Sequence, residues 1–391
     1  MTLQENTYVA KTFAGLEPVL MKELEALGGK DVRVLRRAVS FRGDKQLLYR
    51  ANIWCRTALS ILHHQTEFSF GTRDDFYEQL REFDWSALFG PDKTISIRAA
   101  AHNTEVFNNT LFLAQLSKDA IADHFRDKTG RRPDVDVSNA QVRITINVNK
   151  DNCMVALDSS GEALFKRGYR KASGPAPINE VLAAGLIMLS EWDGQHTFLD
   201  PMCGSGTFSI EAAMINANIA PGAERKAFGF SYWDDFDPGL FGREKAAALD
   251  QRKPVSARII ASDNKGSMLD ITRQNTMHAG LMGSITIQRN DFFSYRPPAN
   301  PGWILLNPPY GQRMKYHDIR EMHTDIGDTL KKRFSGYCAG IISPEMDAMK
   351  HLGLKPKRKI PVFNGPLPCT FNIYELFEGK RKEFVAKRKR L

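Results

Sequence analysis

Paired cysteines are missing from this chain of 391 residues. Its five cysteines, Cys55, Cys153, Cys203, Cys338 and Cys369, are scattered without Cys-x-x-Cys spacing. That excludes a disulfide framework and a zinc ribbon, and it fits a reducing compartment. Histidines are dispersed, and the one adjacent pair, His63-His64, would point in different directions on a helix or strand. No metal site is expected. No apolar run approaches a membrane span, and Met1 to Leu20 lacks the continuous apolar stretch of a signal peptide. A soluble, cytoplasmic protein with no membrane partner is expected. Internal repeats are absent, and so is a P-loop, since no Lys-Ser/Thr follows the glycine-rich turn near residue 205.

What is present is ordinary for a globular protein: 42% hydrophobic and 25% charged residues. The length calls for two or three domains. The formal net charge of +9 permits a polyanionic partner. Much of it lies in one tail, Lys380 to Leu391, which holds seven basic residues against Glu383. Such a run serves either as a solvated end or as an arm on phosphates.

The first part of the chain reads as α+β. Thr7 to Thr12 is strand-like, Leu16 to Leu27 is helical and closed by Gly28-Gly29, and Val32 to Phe41 alternates like a strand. Leu47 to Leu62, Asp74 to Leu80 and Leu111 to Arg126 have helical periodicity; Gln65 to Ser69, Thr94 to Ala100 and Val142 to Val148 read as strands. A basic stretch, Phe165 to Lys171, and the breaker cluster Gly174-Pro175-Ala176-Pro177 mark a domain boundary. Beyond it, helices alternate with short apolar strands, the pattern of a doubly wound α/β domain. The expected strands are Thr197–Leu199, Arg258–Ala261, Ile285–Gln288, Trp303–Leu306, Gly340–Ser343, Lys359–Val362 and Phe371–Phe377.

Several of these strands end in residues suited to a nucleoside ligand. Phe198-Leu199-Asp200 runs into Pro201-Met202-Cys203-Gly204-Ser205-Gly206-Thr207, a tight turn that opens a helix and lets backbone approach a ligand. Ile259 to Asp263 ends in an acid placed to accept ribose hydroxyls. Ile285 to Phe292 ends in Asp291-Phe292, an acceptor for an adenine amino group beside an aromatic cover. Alone, each acid reads as a helix cap or turn; together they outline a nucleoside-shaped pocket. After Trp303 to Leu306 comes Asn307-Pro308-Pro309-Tyr310. The prolines fix the backbone and remove two amide donors, which leaves the Asn307 side-chain oxygen and the Pro308 carbonyl as outward acceptors. An exocyclic base amine is a poor nucleophile because its lone pair is delocalised into the ring. Accepting both of its N–H bonds frees that lone pair for in-line attack on a methyl sulfonium, while Tyr310 offers a face for a flipped-out base.

On these motifs, residues 197 to 377 resemble the Rossmann-like S-adenosylmethionine methyltransferases with the Asn-Pro-Pro-Tyr signature. The chain from about Phe13 resembles the THUMP-containing RNA guanine-N2 methyltransferases of the bacterial large-subunit rRNA branch. Gly15-Leu16-Glu17, Lys118 to Ile121, Asp158 to Glu162, Lys166 to Arg170, Ala176-Pro177 and Asn364 to Leu367 carry that resemblance upstream and downstream. It implies a ferredoxin-like segment (1–45), a THUMP RNA-binding domain (46–157), a seven-stranded methyltransferase domain (166–379) whose final strand is antiparallel, and a basic tail (380–391). It implies S-adenosylmethionine as cofactor, held at Asp200, Gly204, Gly206, Asp263, Asp291 and Asn307 and flanked by Pro201, Ser205, Thr207 and Phe292. It also implies catalysis by Asn307, Pro308 and Tyr310, and RNA contacts from Lys166, Arg167, Tyr169 and Arg170. The substrate it points to is guanine N2 in 23S rRNA or its precursor. A tRNA guanine-N2 enzyme, an adenine-N6 enzyme, a protein glutamine methyltransferase and a non-catalytic RNA-binding assembly factor are the other readings. Some members fuse a second methyltransferase domain; a single activity is expected here. Asn179, where a basic residue is common, and Asn264-Lys265, where an acid often repeats, depart from the family pattern.

Overall fold

The computed structural model describes residues 5–174, 177–299, 301–309 and 319–379. Two compact units emerge: residues 1–12, 21–164 and 222–247 form the first, and 13–20, 165–221 and 248–391 the second.

The first unit is built on one seven-stranded sheet. Its elements in chain order are β1 (Asn6–Lys11), α1 (Glu17–Ala26, divided between the units), β2 (Lys30–Leu35), β3 (Ala38–Gly43), α2 (Lys45–Trp54), β4 (Ser60–Ser69), α3 (Arg73–Glu82), β5 (Ile95–His102), α4 (Thr110–Thr129), β6 (Val142–Asn149) and β7 (Asn152–Asp158). The strand order is β2-β3-β1-β4-β7-β6-β5. Burial alternates residue by residue along β6, as on a sheet that packs with one face. Three expectations need correction. Val32 to Phe41 is a hairpin, not one strand: Leu35 pairs with Ala38 across Arg36-Arg37, and Arg37 takes φ 58° without the glycine or asparagine that advertises such a turn. The helix expected over Leu47 to Leu62 stops at Trp54, and the extended residue Cys55 leads to β4, so Ile61 and Leu62 are buried as strand residues. β7 escaped notice beside β6, to which it is joined through Lys150, at φ 57°.

Residues 222–247, expected within the catalytic domain, belong to the first unit. Their Phe230, Phe236 and Phe241 rings gather around Tyr49 of α2 at 4.3–6.0 Å between centroids. Glu244 meanwhile accepts hydrogen bonds from Arg50 and Gln46. Aromatic burial and a charge pair from distant sequence hold the segment there.

The second unit continues with α5 (Glu180–Leu189), β8 (Thr197–Asp200), α6 (Thr207–Asn216), α7 (Pro238–Asp250, again divided between the units), β9 (Ile259–Asp263), α8 (Gly266–His278), β10 (Ile285–Arg289), β11 (Gly302–Leu306), α9 (Ile319–Arg333), β12 (Cys338–Ser343), β13 (Arg358–Asn364) and β14 (Leu367–Glu375). Every expected strand is present. The order β10-β9-β8-β11-β12-β14-β13 is parallel through β12, and β14 runs antiparallel to both neighbours. β8, β9, β11 and β12 are buried almost throughout, as parallel strands covered on both faces must be. The chain winds outward in opposite directions from β8 and β11, and a crevice opens at the carboxyl ends of this pair. Residues 13–20 pack within this unit. A Cβ on Gly15 would lie 2.3 Å from the Pro361 carbonyl oxygen of β13, and one on Gly185 of α5 would lie 2.6 Å from Leu16.

Candidate active site

A cavity of about 540 Å³ lies in that crevice, within the usual range for small-molecule sites. The first wall is the turn after β8. Gly204 and Gly206 have φ of 53° and 79°, which only glycine adopts without strain. A Cβ on Gly206 would fall 2.7 Å from Thr272 Cγ2 of α8, whereas the space in front of Gly204 is open. The turn is pinned from several sides. Cys203 N–H donates to the Ser262 carbonyl (3.0 Å), Thr272 Oγ1 donates to the Gly204 carbonyl (2.8 Å), and Asn275 Nδ2 donates to the Ser205 carbonyl (3.0 Å).

Three carboxylates line the cavity, each delivered by a different strand end: Asp200, Asp263 and Asp291. Asp200 is 1% exposed and accepts from Ser209 N–H (3.3 Å) and Ser209 Oγ (2.8 Å). Burial pushes its carboxyl up to about 7, the Ser209 bonds oppose that, and the Asp263 charge adds to it. Asp263 Oδ2 accepts from Gly204 N–H (3.1 Å) and Oδ1 from Lys265 N–H (3.0 Å), so one side chain joins the β8 turn to the β9 turn. Asp291 is exposed at the cavity rim. The aromatic cover is only partly where it was expected. Phe292 lines the cavity but is 3% exposed, its ring stacked on Phe334 in the core at 5.8 Å. The next residue, half-buried Phe293, also lines the cavity and was missed. A Phe-Phe pair just after a strand contains that signal, but the turn that follows β10 decides which ring packs into the core.

Opposite, half-buried Asn307, buried Pro308 and exposed Pro309 follow β11 on the same cavity. Tyr310 lies outside the described residues, as does the basic tail from Lys380. Pro201, Ser205 and Thr207, all buried, also line the cavity, whereas Gly206 of the expected cofactor set is not on its lining. Sequence reasoning also missed Met202, Met268 and Met322, three thioethers whose polarisable sulfurs suit an aromatic ligand.

Similarity to known proteins decides the family. Residues 167–373 match the RMKL-like methyltransferase domain, 71–158 the THUMP domain and 7–62 the RlmL ferredoxin-like domain. The chain belongs to the RMKL-like methyltransferases. It is 35% identical over 372 residues to a Synechocystis protein provisionally named an RNA methyltransferase, covering 95% of this chain and 97% of that one. It is 34% identical over 370 residues to the ribosomal RNA large subunit methyltransferase K/L of Methylococcus capsulatus, covering 93% of this chain and 50% of that protein. A solved structure of a provisionally assigned methyltransferase complexed with SAH superimposes with a TM-score of 0.86 at 29% identity, over 96% of this chain and all of the other.

The RMKL-like cavity suits the methyl donor of such enzymes on its own terms. Among the described residues its lining sets three carboxylates against one lysine, Lys265, which favours a ligand carrying sulfonium and ammonium charge, and the open face of Gly204 leaves room where a Cβ would intrude. Among the described residues no cluster of three metal-ligating side chains occurs, and no helix is long and apolar enough to cross a membrane. Of the two family departures, Asn264-Lys265 lies on the cavity lining. Asn179 caps α5, its Oδ1 accepting from Val181 N–H (2.9 Å), and the Lys265 amide is what Asp263 binds.

The expected RNA contacts do not stand as a group. Arg167 and Tyr169 are buried, and both reach Glu211 of α6, Arg167 Nε at 3.4 Å and the Tyr169 hydroxyl at 2.9 Å. Burial drives the Tyr169 hydroxyl well above its ordinary pKa, so it remains a donor. Arg170 binds Glu180, the Ile178 carbonyl and Thr207 within the fold. Only Lys166 is exposed. A basic motif that reads as an RNA patch is mostly an internal brace.

Proposed function

We propose that this chain methylates the N2 amine of a guanine in 23S rRNA, with S-adenosylmethionine as methyl donor. RNA is the substrate class that a THUMP domain and the rRNA methyltransferase relative support. The observation that carries the chemistry is that Asn307-Pro308-Pro309 and the three strand-end acids line one cavity. When bound, S-adenosylmethionine supplies an electrophilic methyl on a sulfonium. The acids and the glycine turn hold the nucleoside end, with Asp263 suited to the ribose hydroxyls and Asp291 to the adenine amino group. Asn307 Oδ1 and the Pro308 carbonyl accept the two N–H bonds of the target amine, so its lone pair points along the line of transfer. As the new N–C bond forms, the S–C bond electrons return to sulfur, and the amine sheds one proton to water. No nucleophilic side chain is required.

The test is mass-spectrometric nucleoside analysis of rRNA and tRNA from a deletion strain. Loss of N2-methylguanosine from 23S rRNA, restored by the wild-type gene and not by Asn307→Ala, is expected. Unchanged 23S nucleosides with a methylated guanosine missing from tRNA, or a missing N6-methyladenosine, would overturn the assignment.

A further inference from the structure

We infer that Arg170 is a positioning residue that sets the shape of the cofactor site by tying its two walls together, rather than a contact for RNA. The inference rests on the cofactor site alone and holds whichever base is methylated. Two stretches line the cavity on this side: Pro177-Ile178 and the turn through Ser205 and Thr207. The Arg170 guanidinium spans both. Nη2 donates to the Ile178 carbonyl at 2.8 Å and to Thr207 Oγ1 at 3.0 Å, and Nη1 lies 3.5 Å from Ser205 Oγ. Nε donates to Glu180 Oε1 at 2.6 Å. A cation beside the first residues of α6 is opposed by the helix dipole. Helix electrostatics therefore do not explain the arginine, and the Glu180 carboxylate offsets its charge. Backbone reinforces the same link. Asn275 Oδ1 accepts from Lys171 N–H (3.0 Å), while its Nδ2 donates to both the Ala172 and Ser205 carbonyls (3.0 Å each). A planar fork reaches three acceptors at once, which a lysine ammonium on a flexible stem cannot do with the same geometry.

The experiment is a double-mutant cycle on the full chain with Arg170→Met, Thr207→Val and the combination, read by calorimetric titration with S-adenosylhomocysteine. Arg170→Met is expected to raise the Kd roughly tenfold, the scale of a lost charge-assisted hydrogen bond, while affinity for 23S rRNA fragments stays within about twofold. Thr207→Val should cost affinity in the wild type and little in the Arg170→Met background. Without cofactor, amide exchange at Cys203 to Phe208 should accelerate in Arg170→Met. If that variant does not fold, Arg170→Lys keeps the charge beside Glu180 and should still weaken the cofactor several-fold. Unchanged cofactor affinity in a folded variant, an additive cycle, or a fall in RNA affinity with cofactor affinity held would each overturn the inference.

Discussion

Cofactor affinity should depend on pH through Asp200, and the size of the effect follows from the geometry. The side chain is fully buried, two bonds from Ser209 do not compensate its desolvation, and its carboxyl sits at about 7 in the empty protein. A ligand bringing sulfonium and ammonium charge into the cavity favours the carboxylate, so binding expels a proton when the site starts protonated. If only the ionised form binds well, affinity follows the ionised fraction and tightens about tenfold from pH 6 to pH 8. The sign for the empty protein is opposite. A carboxyl raised above its unfolded value costs nothing at low pH, and stability is lost as pH rises through about 7. Calorimetric titration at pH 6, 7 and 8, in buffers of different ionisation enthalpy, measures affinity and released protons together. The cofactor's own α-amino group titrates at the upper end of this range, and Asp200→Asn, which leaves that group intact, is the control. Equal pH slopes in wild type and Asp200→Asn would refute the reasoning.

Three further outcomes are expected. Asn307→Ala should abolish methyl transfer in a single-turnover assay while cofactor affinity stays within several-fold; retained turnover would remove Asn307 from the chemistry. Asp263→Ala should weaken S-adenosylmethionine by roughly 1–3 kcal/mol, because it orphans the Gly204 and Lys265 amides as well as any ribose hydroxyl; unchanged calorimetric affinity would count against it. Gly206→Ala forces a Cβ to 2.7 Å from Thr272 Cγ2 at φ 79°, so loss of cofactor binding with a lower Tm is expected, and a normal titration would mean the turn tolerates the strain.

The second sheet was legible because parallel strands must be apolar throughout and because acids at their ends have few other reasons to recur. Short runs such as Ile259 to Asp263 carry both signals in five residues. The internal partners of the Arg-Gly-Tyr-Arg stretch were hidden for the opposite reason. Nothing local to Arg167 or Tyr169 announces that their partner is Glu211, more than forty residues on. A much longer separation hid the attachment of residues 222–247, whose anchor, Tyr49, lies far upstream. Phe292 and Phe293 lie in the turn after β10, and composition does not encode which of the two rings that turn sends into the core.

The interleaving of the two units bears on synthesis. Residues 13–20 leave the ribosome early, yet Gly15 closes onto Pro361, and the first unit lacks its aromatic plug until residue 247 has emerged. At about 5–20 residues per second, the stretch from Leu164 to Ala247 takes about 4–17 s to make. During that interval Tyr49 and its neighbours stand uncovered in a partly formed first unit. A nascent chain stalled near residue 200 is therefore the species most in need of a chaperone, and neither unit can be supplied as a finished piece by a single cut in the gene.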